Sequence, residues 1–76
     1  MIDLLTKFAN EGIEVCIDTY IHSMIKITLA HGNNHTYHLV DLEELMQSNT
    51  PDDDFAELIS HTYDRLKEFE DRLNDL

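Results

Sequence analysis

The sequence is poor in the residues that usually announce a chemistry. Of its 76 residues one is cysteine, one proline, two glycine and none tryptophan. A lone Cys16 cannot close an internal disulfide, which excludes the cross-linked miniature folds of secreted proteins. Neither a Gly-rich turn for an oxyanion hole nor a Ser/Asp partner accompanies that thiol, so it reads as an inert strand residue. Long apolar runs are missing too, so neither a signal peptide nor a spanning segment is expected and the default compartment is the cytoplasm. Cations are scarce: five Lys and Arg stand against sixteen Asp and Glu, a net charge of -11 with His neutral. Lys7, Lys26, Arg65, Lys67 and Arg72 are scattered and outnumbered, which argues against direct nucleic-acid binding. Such a surface repels nucleic acid and anionic membrane, and it attracts basic surfaces over a Debye length of ~8 Å. The expected partner is therefore basic, such as a protein that itself binds nucleic acid.

What is present is an ordered apolar pattern. Hydrophobic residues make up 42% of the chain, enough for a single domain over residues 1–76. That length is near the lower limit for an independent core, where about 60–65% of the chain's surface can be buried. In "MIDLLTKFANEG", Ile2, Leu5, Phe8 and Ala9 share one helical face, and Gly12 suits the position just past a helix end. The period then changes to two. In "IEVCIDTYI" the apolar residues Ile13, Val15, Ile17 and Ile21 are odd-numbered; "MIKITLAH" continues with Ile25, Ile27 and Leu29; "HTYHLVD" offers Tyr37 and Leu39 on the same parity. If odd residues share a buried face across antiparallel strands, each hairpin loop must contain an odd number of residues. Loops of His22-Ser23-Met24 and Gly32-Asn33-Asn34 meet that condition, with Asn34 left-handed. They pair Ile17 with Leu29, Ile21 with Ile25, Leu29 with Tyr37 and Ile27 with Leu39.

"DLEELMQSN" reads as a short helix capped by Asp41, with Glu44 completing a capping box. Thr50 and Pro51 then open a long final helix, Thr50 as N-cap with Asp53 three residues on. The expected fold class is α+β: a three-stranded antiparallel meander in the order α-β-β-β-α-α, helices on one face and a fairly polar second face. On the last helix Phe55, Ile59, Leu66, Phe69, Leu73 and Leu76, with Thr62 in the one polar slot, recur in steps of three and four. A helix of ~39 Å must overshoot eight-residue strands of ~27 Å. Its far end, Phe69, Leu73 and Leu76, then needs cover from the first helix or from a second copy, in which Arg65 and Glu70 could pair across a parallel dimer. The opposite face carries Asp54, Glu57, His61, Asp64, Glu68, Asp71 and Asp75, with Glu68–Arg72 as the clear compensating pair. That stripe places about one charge per ~5 Å, against one per ~3.4 Å along each strand of DNA.

Catalysis is not expected. The five histidines offer poor ligand spacing, because H-x-x-H on a strand sends its two rings to opposite faces, and so neither metal nor cofactor is predicted. Abundant exposed carboxylates are not a tuned acid/base pair, and so small a domain has little room for a water-excluding pocket.

The stretch "DLLTKFANEGIEVCID" followed by "MIKITLAHGNNHTYHLVD" resembles small acidic proteins of Firmicutes phages and prophages. The layout is similar to that of anti-CRISPR inhibitors of the RNA-guided type II-A nuclease. That resemblance covers about the first forty-five residues and implies an αβββα fold. It also implies a DNA-mimic mechanism in which acidic side chains occupy the basic site that reads the PAM duplex. The long heptad-patterned helix departs from the pattern, so no binding residue is carried over by motif. The acids expected to make the contact are Asp41, Glu43, Glu44, Asp52, Asp53, Asp54 and Glu57, around the loop before the last helix. The rival expectation is a non-catalytic homodimeric accessory protein assembling through Phe69, Leu73 and Leu76.

Overall fold

The computed structural model describes residues 2–74, and all that follows concerns them. Helix α1 (Ile2–Glu11) stops where Gly12 turns left-handed, φ 76°. Gly12 N–H donates to the Ala9 carbonyl at 3.2 Å and Ile13 N–H to that of Phe8 at 2.8 Å. This is a Schellman closure, which favours a residue without a Cβ at the left-handed position. Its usual apolar contact is present as well, since Phe8 and Ile13 both belong to the core.

Strands β1 (Glu14–Thr19), β2 (Met24–His31) and β3 (Asn34–Asp41) form an antiparallel sheet in the order β1-β2-β3, the expected meander. Helices α2 (Leu42–Met46) and α3 (Pro51–Asn74) complete the α+β layout. β2 is central and alternates as anticipated: Ile25, Ile27 and Leu29 are buried under the helices, with Lys26, Thr28 and Ala30 on the other face. β1 pairs Ile17 with Ile27 and Thr19 with Ile25, a slip of two from the expected register that keeps the parity of the strand. Ile17 nevertheless stays 54% exposed, and Ile21, expected on the buried face, is 76% exposed in the loop. Tyr20 N–H donates to the Met24 carbonyl at 2.8 Å, so the loop is Ile21-His22-Ser23, one residue earlier than expected. His22 and Ser23 sit at φ 59° and 63°. Leu42 N–H holds that loop by donating to the Ser23 carbonyl at 2.9 Å.

β3 overturns the expectation. Leu29 lies opposite Thr36, Ile27 opposite His38 and Ile25 opposite Val40. The hairpin loop is the two residues Gly32-Asn33, and His31 pairs directly with Asn34. Gly32, not Asn34, takes the left-handed angle, φ 63°; a glycine at the first central position is what a two-residue type II′ hairpin turn needs. An even loop reverses the parity. Val40 is buried and Thr36 and His38 are half-buried on the helix side, while Tyr37 and Leu39 stand 50% and 43% exposed on the other. The open face is consequently less polar than the sequence suggests. Lys26 lies over the Tyr37 ring there, 4.7 Å from its centroid.

α3 supplies Ile59, Thr62 and Leu66 to a core completed by Phe8, Ile27 and Leu29. Thr62 occupies its apolar slot by donating its hydroxyl to the Leu58 carbonyl at 2.8 Å. Near the end of the helix Phe69 and Leu73 stay 45% and 43% exposed. Leu76 and Asp75, expected to extend the apolar seam and the acidic stripe, lie outside the described residues. α1 packs on α3 through a stacked Phe8–Tyr63 pair with centroids 5.3 Å apart. Arg65 and Glu70, read from the sequence as able to pair across a dimer, are engaged within the chain. Arg65 Nη1 donates to the Tyr37 carbonyl at 3.5 Å, and Glu70 Oε2 lies 2.8 Å from His31 Nδ1. His31 is thus tied to α3 rather than left free at a strand end.

Candidate partner-binding site

The seven acids singled out by sequence lie along the segment from the end of β3 through α2 to the first turns of α3. They are not equivalent. Asp41 caps α2, its Oδ1 accepting from Glu43 N–H at 3.0 Å and Glu44 N–H at 3.3 Å. The reciprocal bond from the Glu44 side chain, expected for a capping box, is absent among the described residues. Asp54 rather than Asp53 organises the start of α3. It accepts from the hydroxyls of Ser48 and Thr50, and its own N–H donates to the Thr50 carbonyl at 2.9 Å. Four residues on from Thr50, it lies one helical turn above it. Glu43 accepts from Ser23 Oγ at 3.4 Å. Asp52 and Asp53 are exposed in the first turn of α3. There they face the positive end of the helix dipole, worth roughly 0.3–1 kcal/mol apiece. Glu57 is the acid that the fold uses least; it has only the exposed His61 imidazole, 3.8 Å away.

Four of the seven converge. Asp41, Glu44, Asp54 and Glu57 edge an open cavity of about 660 Å³ between β3, α2 and α3. Its walls are Leu39, Val40, Leu45 and Leu58, with His38 and His61 among the polar groups. Glu43, Asp52 and Asp53 do not line it. The sequence reading missed His38 as a site residue, because it placed Tyr37 and Leu39 under the helices and so turned His38 away from them. The signal that could have found it is the Gly-Asn pair at 32–33, which suffices for a two-residue turn. A second cavity of about 370 Å³ continues along the same strand, lined by His35 to Leu39 and by Arg65.

The cations lie elsewhere. Lys67 Nζ is 3.2 Å from Glu11 Oε1, Lys7 sits over the Tyr63 ring, Lys26 over Tyr37, and Arg65 reaches the middle of β3. Among the described residues, no lysine or arginine comes within ion-pair distance of any of the seven acids. The anticipated Glu68–Arg72 pair is likewise not closed, and Glu57, Asp64, Glu68 and Asp71 all stand exposed along α3. Among the described residues no three His, Cys, Asp or Glu side chains group as a metal would require. None of the helices described is long and apolar enough to cross a membrane. No family model, curated protein or solved structure matches the chain.

Proposed function

We propose that this chain is a small, non-catalytic acidic inhibitor. It docks on a basic nucleic-acid-binding surface of a host defence nuclease and stands in for the phosphate backbone. Its action in the host cytoplasm resembles that of the phage anti-CRISPR proteins whose layout its N-terminal half shares. The observation that carries the reading is the segregation of charge. Asp41, Glu44, Asp54 and Glu57 line one cavity, while Lys7 and Lys67 serve the α1–α3 contact and Lys26 and Arg65 serve β3. Helix capping and dipole accommodation account for Asp41, Asp52, Asp53 and Asp54. Glu44, in the first turn of α2, is accommodated in the same way. Glu57, by contrast, stands beyond the first turn of α3 with only the exposed His61 imidazole 3.8 Å away. The gathering of Asp41, Glu44, Asp54 and Glu57 around one cavity raises self-repulsion. Complementary charge on a partner relieves that repulsion and speeds encounter.

The test uses a purified type II-A nuclease with its guide RNA and a PAM-containing duplex. The chain should displace the duplex, with an apparent affinity that falls steeply between ~50 and ~500 mM salt. The combined change of Glu43, Glu44, Asp52, Asp53 and Glu57 to their amides should abolish displacement, and it leaves the Asp41 and Asp54 caps intact. Unimpaired duplex binding in the presence of excess chain, or full activity of the amide variant, overturns the reading.

One observation favours a second reading, a homodimeric accessory protein: Phe69 and Leu73 remain 45% and 43% exposed near the end of α3. Light scattering decides between them. A stable dimer lost on Leu73→Asp, with no effect of the amide changes on biological activity, selects the assembly role.

A further inference from the structure

We propose that the groove beside β3 takes an extended, arginine-bearing segment of that basic partner, paired to β3 as a fourth strand. The inference rests on the acidic-docking reading above and narrows it to one edge of the sheet. β3 is an outer strand. In a hairpin closed by a two-residue loop, the residues flanking the loop form a hydrogen-bonded pair, here His31 and Asn34. Alternation then turns the N–H and C=O groups of Thr36, His38 and Val40 toward β2, and those of His35, Tyr37 and Leu39 outward. The Arg65 guanidinium, reaching the Tyr37 carbonyl from outside the sheet, is consistent with that assignment. Within the strand the edge carries no lysine or proline and no bulge, its register with β2 running unbroken from Asn34 to Asp41. Its guard is the exposed Arg65 guanidinium, which an incoming strand must displace from the Tyr37 carbonyl.

Space agrees with the backbone along the whole edge, and charge agrees at its Asp41 end, while Arg65 lines the other. The two cavities share His38 and Leu39, so the open edge is flanked by accessible volume from His35 to Asp41. At the Asp41 end the floor is aliphatic, Leu45 and Leu58, and the rim is acidic, Glu44 and Glu57. An arginine suits both, since its methylene stem packs on apolar surface while its head pairs with carboxylate. A strand presents alternate side chains to opposite faces, so every second residue of the segment enters the groove.

The probe is a capped octapeptide of alternating arginine and valine, titrated into the isotopically labelled chain and followed by amide shifts. Binding should move Leu39, Asp41, Glu44 and Glu57. N-methylating one alternate set of peptide amides, either all arginines or all valines, should weaken binding by at least about tenfold, and methylating the other set should not. Only one set can donate to β3. Glu44→Gln with Glu57→Gln, both exposed positions, should weaken the parent peptide several-fold. Equal sensitivity to the two methylations, or shifts centred on Val15, Ile17 and Thr19 of the β1 edge, overturns the proposal. A peptide held by charge alone leaves the broader acidic-docking reading standing. Failure of both peptide binding and duplex displacement removes the two together.

Discussion

The facing of β3 controls everything proposed for its edge, and one substitution placed at two neighbouring positions measures it. Val40 is 3% exposed and packs in the core, whereas Leu39 is 43% exposed on the open face. Threonine matches valine in shape and suits a strand at either site, so β propensity contributes little to the difference. Val40→Thr replaces a buried methyl by a hydroxyl among Ile25, Ile59 and their neighbours. The lost methyl costs about 0.8 kcal/mol, and a buried hydroxyl without a partner adds about 1–3 kcal/mol on mutational scales. A total of about 2–4 kcal/mol lowers the melting temperature of a domain this size by roughly 8–30 °C. At Leu39 the new hydroxyl stays in water, and only part of a leucine's roughly 1.5–3 kcal/mol of burial is given up, about 1 kcal/mol. Thermal melts monitored by far-UV circular dichroism should therefore rank Val40→Thr well below Leu39→Thr. Equal costs, or the reverse order, would mean that β3 buries Tyr37 and Leu39 after a three-residue loop, and the groove along its edge would have to be redrawn.

Two further outcomes follow from local geometry. His22 and Ser23 occupy left-handed backbone positions, φ 59° and 63°, which residues with a Cβ resist by roughly 1–2 kcal/mol each. Replacing them by Asn-Gly should raise stability by about 1 kcal/mol after the extra chain entropy of glycine is offset, and a lower melting temperature would refute that turn. The Glu11 carboxyl is held below its ordinary value of 4.5, chiefly by the Tyr63 hydroxyl and against a smaller opposing effect of burial, with Lys67 assisting. A depressed carboxylate stabilises the fold above its unfolded value, and that stability is lost as pH falls from about 4.5 through the folded value. Tyr63→Phe should flatten this acid limb in urea titrations. Tyr63 and Lys67 are both raised, the hydroxyl mainly by its bond to Glu11 and the ammonium by the same carboxylate, so their contributions persist below pH 10 and fade above it. An acid limb unchanged by the substitution would show that the Glu11–Tyr63 bond is not formed in solution.

Much of the fold is legible in the chain because its periods are unambiguous. Gly12 after a three-four apolar pattern marks the end of α1, and Ile25, Ile27 and Leu29 admit only one facing for β2. β3 is different, since "HTYHLVD" has apolar residues on both parities, Tyr37 and Leu39 against Val40. Counting favours the first pair; tertiary contact favours the second, because Tyr37 keeps its hydroxyl wet and Val40 fills the space beside Ile25. The acids were legible as charge and Asp41 as the cap of α2, but the role of Asp54 at the start of α3 was not. Whether Asp53 or Asp54 meets Thr50 depends on where the first helical turn places each carboxylate. The cavity was invisible for the same reason as the facing of β3, since two of its walls are consequences of it.

The last residue of β3 shows why the even loop prevails. With three residues in the turn, Asp41 would share a face with Tyr37 and Leu39 beneath the helices, and Val40 would be left in water. A carboxylate taken from water without a charged partner costs several kcal/mol, more than the two half-buried side chains could return. With Gly32-Asn33 as the turn, Val40 enters the core and Asp41 emerges at the strand end, where both Glu43 and Glu44 N–H groups meet it. Glu44 of α2 and Glu57 of α3 both line the groove beside that strand end. Stability alone accounts for the position of Asp41. The dipole of α2 favours Glu44 as a carboxylate in its first turn, but Glu57 stands beyond the first turn of α3 and gains nothing comparable there. On the docking reading proposed above, the negative charge at that groove serves a cationic side chain of the partner, the group that carboxylates favour.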